Sequence, residues 1–232
     1  MSQTLKNRFF SMGSLAFILG LGLSFALPQS AHAVSERDAQ QLVDNSYYAY
    51  MDLTDGDSSK TMHTLLKEAR AVMIFPSVGK GGFVFGAEGG KGVLLARSAN
   101  GTWSYPAFYG MRSLSFGLQA GYQETRILLI IMNDSALTSI LEGKLKLGAD
   151  ASVVLIDEGA DGELSTNSGR QDIYYYAQTD SGLFAGISIE GSDIFTKKHN
   201  KAYYDGKPTP TDIVIRHKVR NPNANRLRAK LP

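Results

Sequence analysis

Three stretches of the chain set glycine against aromatic and branched residues at strand spacing. They are Gly79-Lys80-Gly81-Gly82-Phe83-Val84-Phe85-Gly86, Ser115-Phe116-Gly117-Leu118-Gln119-Ala120-Gly121-Tyr122, and Gly182-Leu183-Phe184-Ala185-Gly186-Ile187-Ser188-Ile189-Glu190-Gly191. Aromatic and β-branched residues suit a pleated, half-buried surface, whereas glycine weakens a strand unless curvature, a bulge or close backbone approach requires it. With 24 glycines in 232 residues, the pattern predicts a strongly curved or barrel-like sheet. No unit repeats at a fixed period, so neither a propeller nor a solenoid is expected.

Residues 1–33 read as an export signal. Lys6 and Arg8 give a positive start, Phe9 to Leu27 an apolar run, and Ala31-His32-Ala33 a small-x-small cleavage site. Gly13, Gly20, Gly22 and Pro28 interrupt the run, which argues against a retained membrane anchor. The expected mature chain begins at Val34, after cleavage following Ala33, in the periplasm. Lys6 and Arg8 account for the excess of 24 basic over 22 acidic residues, so the remainder is neutral and gives no reason to expect nucleic acid. There is no cysteine, so no disulfide restrains the unfolded state and the core must hold the fold unaided. A chain of this length buries roughly 70% of its unfolded surface, which is enough for one domain.

The expected fold class is α+β, mostly antiparallel β, with N-terminal helices and one short helix near residues 135–142. From Ser35, Ala39, Leu42, Val43, Ser46, Tyr47 and Tyr50 recur at helical spacing, and Asp38 lies where a cap partner belongs. The polar face of this helix is acidic, unlike that of a membrane-surface helix. Asp55-Gly56-Asp57 breaks it, and Met62, Leu65, Leu66 and Ala69 share a face of a second helix. Ala71 to Phe75 reads as a strand stopped by Pro76. Asn100-Gly101 is placed as a hairpin turn, with Trp103, Tyr105, Ala107 and Tyr109 along one side of the next strand. Ile127 to Met132, apolar on both faces, is placed centrally. Asp134 or Ser135 is expected to cap the short helix through Leu141. Strands follow over Leu145–Ile156, Ile173–Gln178 and Leu183–Ile189, then a helical turn over His199–Tyr204. The organisation is therefore a signal over 1–33, a helical segment over 34–61, a sheet domain over 62–206 and a basic tail over 207–232.

The chemical motifs are weak. Gly86-Ala87-Glu88-Gly89-Gly90-Lys91-Gly92 lacks the glycine spacing and the Ser or Thr of a phosphate-binding loop, and Gly79-x-Gly81 opens no helix. Ser113-Leu114-Ser115-Phe116-Gly117 lacks the first glycine of a nucleophile elbow. His63, His199 and His217 are scattered, so no catalytic base or zinc site is assigned. The acidic loop Asp157 to Glu163 lacks calcium-loop spacing and reads as a solvated turn. No catalytic residue, metal or cofactor is expected. In the tail, Arg216, Lys218 and Arg220 recur every second residue, so an extended chain would set them on one side, opposite Ile215, His217 and Val219. Such a row suits phosphate head groups, or else guards a sheet edge.

Taken in order, Ile74-Phe75-Pro76-Ser77-Val78-Gly79-Lys80-Gly81-Gly82-Phe83, Gly92-Val93-Leu94-Leu95, Trp103-Ser104-Tyr105-Pro106-Ala107-Phe108-Tyr109, Ser115 to Gly121, Leu147 to Val153 and Gly182 to Ser192 resemble the SYLF domain family. The likeness runs from about Met62 to Tyr204. It implies a lipid-binding module without known catalysis. Eukaryotic relatives bind phosphoinositide membranes and some fungal ones bind actin, while bacterial relatives are commonly exported. Neither actin nor phosphoinositide belongs in a periplasm, so the transferable expectation is anionic phospholipid, with an envelope protein as the alternative partner, bound through Tyr174, Tyr175, Tyr176 and the sheet edges. Two departures from the family are the acidic face of Ser35 to Leu53 and Met111-Arg112-Ser113-Leu114 in place of small residues. They move the expected lipid contact to Lys80, Lys91, Arg97, Arg112, Arg216, Lys218 and Arg220.

Overall fold

The structure is a computed structural model that describes residues 34–54, 60–81, 86–115, 123–143, 145–156, 171–179, 182–183 and 188–232. The export signal and the loop Asp157 to Glu163 therefore lie outside the described residues, as do parts of the elbow-like and Gly182 to Gly191 stretches. Helix α1 (Glu36–Thr54) begins with a reciprocal cap. The Asp38 amide donates to Ser35 Oγ at 3.2 Å, and the Ser35 amide donates to Asp38 Oδ2 at 2.9 Å. Its apolar stripe, Ala39, Leu42, Val43, Ala49, Tyr50 and Leu53, is buried, while Glu36, Asp38, Asp44 and Asp52 face solvent. Helix α2 (Lys60–Glu68) buries Met62, Leu65 and Leu66, as its spacing requires.

The sheet is formed by β1 (Ala71–Gly81), β2 (Gly86–Ala96), β3 (Ala107–Ser115), β4 (Gln123–Ile131), β5 (Leu145–Lys146), β6 (Val153–Leu155), β7 (Ile173–Thr179), β8 (Gly182–Leu183) and β9 (Asp193–Thr196). Strand order is β5-β9-β3-β2-β1-β4-β7-β6, with β8 on β7. Every pairing is antiparallel except β6 with β7, and the sheet curls strongly into a half-barrel. Pro76 does not stop β1. The register with β2 shifts between Ile74 and Ser77, and that with β4 between Phe75 and Val78, so the strand bulges around the proline and continues to Gly81. Proline has no amide to give a ladder, and a bulge is where a strand tolerates it.

The glycines opposite that bulge explain the curvature. A Cβ on Gly92 would lie 2.4 Å from the Ile74 carbonyl oxygen and 2.6 Å from Phe75 Cδ1, and one on Gly90 would lie 2.8 Å from the Ser77 carbonyl oxygen. Only glycine lets β2 come this close. The segment Gly86 to Gly92 is thus a bent strand and not a loop.

Both faces of the sheet centre are buried. Register sets Val72, Ile74, Val93, Leu95, Phe108 and Leu128 on one face, and Met73, Leu94, Ala107, Tyr109 and Leu129 on the other, all 0% exposed. Helix α1 packs on β1 and β2, and helix α4 (His199–Tyr203) lies against the first face, where Phe108 meets His199 at 5.8 Å and Tyr203 at 5.1 Å between ring centroids. Tyr174, Tyr175 and Tyr176 sit in β7 between β4 and β6 and are at most 6% exposed, so they are core residues and not a docking surface.

Helix α3 (Asp134–Leu141) is capped by Asn133, one residue before the expected position, whose side chain accepts the Ala136 amide at 2.8 Å. Leu145 to Ile156 is not one strand. Gly148 adopts φ +80°, and the Asp150 carboxylate accepts the Lys146 amide at 2.7 Å, so a turn splits it into β5 and β6. The tail holds no strand among the described residues. Thr209 and Asp212 form a capping box that starts helix α5 (Pro210–Val214), and His217 at φ 49° ends any extended run. A 3₁₀ turn (Pro222–Ala224) and helix α6 (Asn225–Lys230) follow, with Leu227 and Leu231 buried.

Candidate functional site: a basic face floored by Gly110

Past the edge of the helical layer, the first sheet face carries charge. Lys91 of β2 pairs with Gly110 of β3, and Gly110 pairs with Phe195 of β9, so Lys91 and Phe195 flank a glycine on one face. Gly110 makes room for Phe195 of β9 and for Lys197 just beyond it. A Cβ there would lie 2.5 Å from Lys197 Cε and 2.7 Å from Phe195 Cζ. Arg112, two residues along β3, shares this face and pairs with Asp193. The Phe195 ring is flanked by two cations, Lys197 Nζ at 4.5 Å and the Arg112 guanidinium carbon at 5.5 Å from its centroid.

The charges on this face are only partly relieved. Arg112 Nε donates to Asp193 Oδ2 at 3.2 Å, an exposed pair of small stabilising value. Lys197 has its pKa lowered by burial and then by Lys91. His199, 3% exposed and stacked on Phe108, is lowered by burial, then by Lys91 and Lys197, with Asp38 opposing. Its Nδ1 is buried without a hydrogen-bond partner. Lys91, Arg112 and Lys197 gather positive charge around Phe195 on one face, where an added anion is attracted by all three.

The seven residues read from sequence separate. Lys91 and Arg112 are on this face. Lys80 pairs with Glu88 and Gln123 in β1, but its side chain lies outside the described residues. Arg97 is built into the frame. Its guanidinium donates to the carbonyl oxygens of Lys67, Leu66 (3.0 Å) and Pro232 (2.8 Å), and lies 4.6 Å from the Trp103 ring centroid. Arg216 and Lys218 do not form a row with Arg220, because both reach Asp212 Oδ1, at 3.1 and 2.9 Å. Those hydrogen bonds and that of Thr209, the largest, hold the Asp212 carboxyl far below its ordinary range. Arg220 lines a separate groove with His217 and Tyr105. Sequence reading missed Phe195 and Lys197. Asp193, Phe195 and Lys197 alternate like Lys91 and Val93, and that period of two was the available signal.

The architecture is a curled half-barrel sheet with a helical layer and a face that combines basic and aromatic side chains. The family model described as Ysc84, Las17-binding protein actin regulator, matches residues 112–232, and the chain belongs to this Ysc84/SYLF family. Among similar proteins, Protein YSC84 of Saccharomyces cerevisiae is 30% identical over 163 residues, covering 69% of this chain and 35% of that protein. LAS seventeen-binding protein 3 of the same species is 26% identical over 207 residues, covering 88% and 44%. SH3 domain-containing YSC84-like protein 1 of Homo sapiens is 31% identical over 144 residues, covering 60% and 41%. The chain thus spans less than half the length of each of these relatives, one of which is named as a binding protein.

Proposed function

We propose that the domain is a non-catalytic module that adheres to anionic phospholipid surfaces through Lys91, Arg112 and Lys197, with the half-buried Phe195 ring between the cations. The observation that carries this reading is geometric: Gly110 lets Lys197 and Phe195 lie close over β3, with Lys91 and Arg112 on the same face. Helix α1 is not the membrane element in this reading, since its apolar stripe is in the core. With the export signal read over residues 1–33, the surface engaged is that of the cell envelope.

Each basic residue near an anionic membrane contributes about 1 kcal/mol, so adhesion is weak and falls with salt. Co-sedimentation of residues 34–232 with vesicles checks this. Binding to phosphatidylglycerol vesicles at low salt, little binding to phosphatidylcholine, and loss in Lys91→Glu with Lys197→Glu are expected. Equal sedimentation with both vesicle types would defeat the proposal.

A protein partner is the second reading, favoured by the most exposed large aromatic side chain described. Tyr48 is 54% exposed, and Arg226 lies 4.0 Å from the Tyr47 ring centroid and 5.2 Å from that of Tyr48. Tyrosine and arginine are the residues that most often dominate protein interfaces. In the same experiment, a saturable protein complex that survives the double Glu variant and is lost in Tyr48→Ala would favour this reading over the first.

A further inference from the structure

Three separate segments converge on a groove of about 440 Å³ beside the C-terminal helices. The connection between β2 and β3 contributes Asn100, Thr102 and Tyr105, the segment after α5 contributes His217 and Arg220, and α6 contributes Arg228. Among the described residues its lining includes no carboxylate.

The cations here differ in how far they are committed. Arg228 is held by the carbonyl oxygens of Trp103 (2.7 Å) and Ser104 (3.2 Å) and by Asn225 Oδ1 (3.0 Å), with its guanidinium carbon 4.0 Å from the Tyr105 ring centroid. A guanidinium has five N–H donors, and these bonds leave donors over. Arg220 and His217 are exposed, and no described side chain forms an ion pair with either. His217 also sits at φ 49°, a left-handed conformation that costs a non-glycine residue energy and that clusters at ligand sites. The other segment supplies neutral polar groups. Asn100 Oδ1 accepts the Ser98 hydroxyl at 2.7 Å and the Thr102 amide at 3.0 Å, which fixes its side-chain amide and leaves its N–H donors for a ligand, beside the Thr102 hydroxyl.

We infer that this groove is a binding site for a small phosphorylated polyol, with Arg220, His217 and the remaining donors of Arg228 on the phosphate and Asn100 and Thr102 on the hydroxyls. A volume of this size lies in the range of small-molecule sites, and charge-assisted bonds from a planar guanidinium are the strong contacts for a phosphate. The site is distinct from the Lys91 face in residues and in strands.

Trp103 is the sole tryptophan and lies against this region, sharing Thr102 and Arg228 with the adjoining recess, so its fluorescence is a local reporter. Residues 34–232 are titrated with glycerol phosphate at constant ionic strength, with inorganic phosphate, phosphatidylglycerol vesicles and a polyglutamate peptide as separate arms. A saturable fluorescence change with glycerol phosphate is expected, weakened about tenfold or more in Arg220→Glu and in His217→Gly, which keeps the left-handed backbone. Thermal melts of both variants report whether the fold is retained. The inference is overturned by no saturable change, by equal affinity for inorganic phosphate, by unchanged affinity in both folded variants, or by a response to vesicles or polyglutamate alone.

Discussion

His199 is buried against Phe108 with an unpartnered Nδ1 and two lysines in electrostatic reach, so its protonation and the native structure oppose one another. In the unfolded chain it takes up a proton near pH 6.5, whereas the folded state resists that proton to lower pH. The unfolded state therefore binds more protons below about pH 6.5, and the stability tied to this group is present above that pH and lost as pH falls. Wild-type protein should lose more thermal stability between pH 7.5 and pH 5.5 than His199→Phe, which keeps a ring on Phe108. Equal losses would show that His199 is not the coupled group. At this scale the sequence was informative where one residue answers to its own strand: Gly92, in a glycine-dense run, is glycine for reasons of close approach, whereas the isolated Gly110 gave no such signal. Arg97 was not legible, because its partners are carbonyl oxygens of Leu66, Lys67 and Pro232, which no local pattern brings near.

The elements differ in where their ends are decided. Helices α1 and α2 were readable because an apolar stripe and a breaker lie within each stretch. Helix α3 depends on one residue that also ties two segments: Asn133 accepts the Ala136 amide while its Nδ2 donates to Asp172 Oδ1 at 2.7 Å, and Asp172 Oδ2 in turn accepts the Ser152 amide and hydroxyl at 2.9 Å. Asn133→Ala removes both the cap and the tie, and a destabilisation of about 1–2 kcal/mol is expected by urea denaturation. Asn133→Asp, which keeps the cap acceptor but faces a carboxylate, should not restore the tie. A variant as stable as wild type would mean that α3 is capped by other means. The tail was the element read least well. Alternation of Arg216, Lys218 and Arg220 fits a strand, but the Thr209–Asp212 capping box and the left turn at His217 decide locally for a helix and a bend. One candidate row thereby became two sites with different neighbours.

For the whole molecule, the balance of charge after residue 33 and the half-barrel both follow from composition, and the family match over residues 112–232 agrees with the ordered blocks read first. The position of the basic face did not follow, because β9 reaches β3 across a long stretch of chain, and register alone sets Phe195 beside Gly110. The export proposed from residues 1–33 predicts that the protein recovered from the periplasm of an expressing bacterium begins at Val34. N-terminal sequencing checks this, and a chain that still begins at Met1 would refute it.

The packing of α6 and of the 3₁₀ turn against α1 has a consequence in time. Strand β9, needed to extend the sheet beyond β3, and the segment that shields α1 both follow β1 to β4 in the chain, so during synthesis they emerge after the sheet they close. Until about residue 230 has emerged, the sheet has an open edge at β3 and a helix with an uncovered flank, and such non-local closure is slow to form.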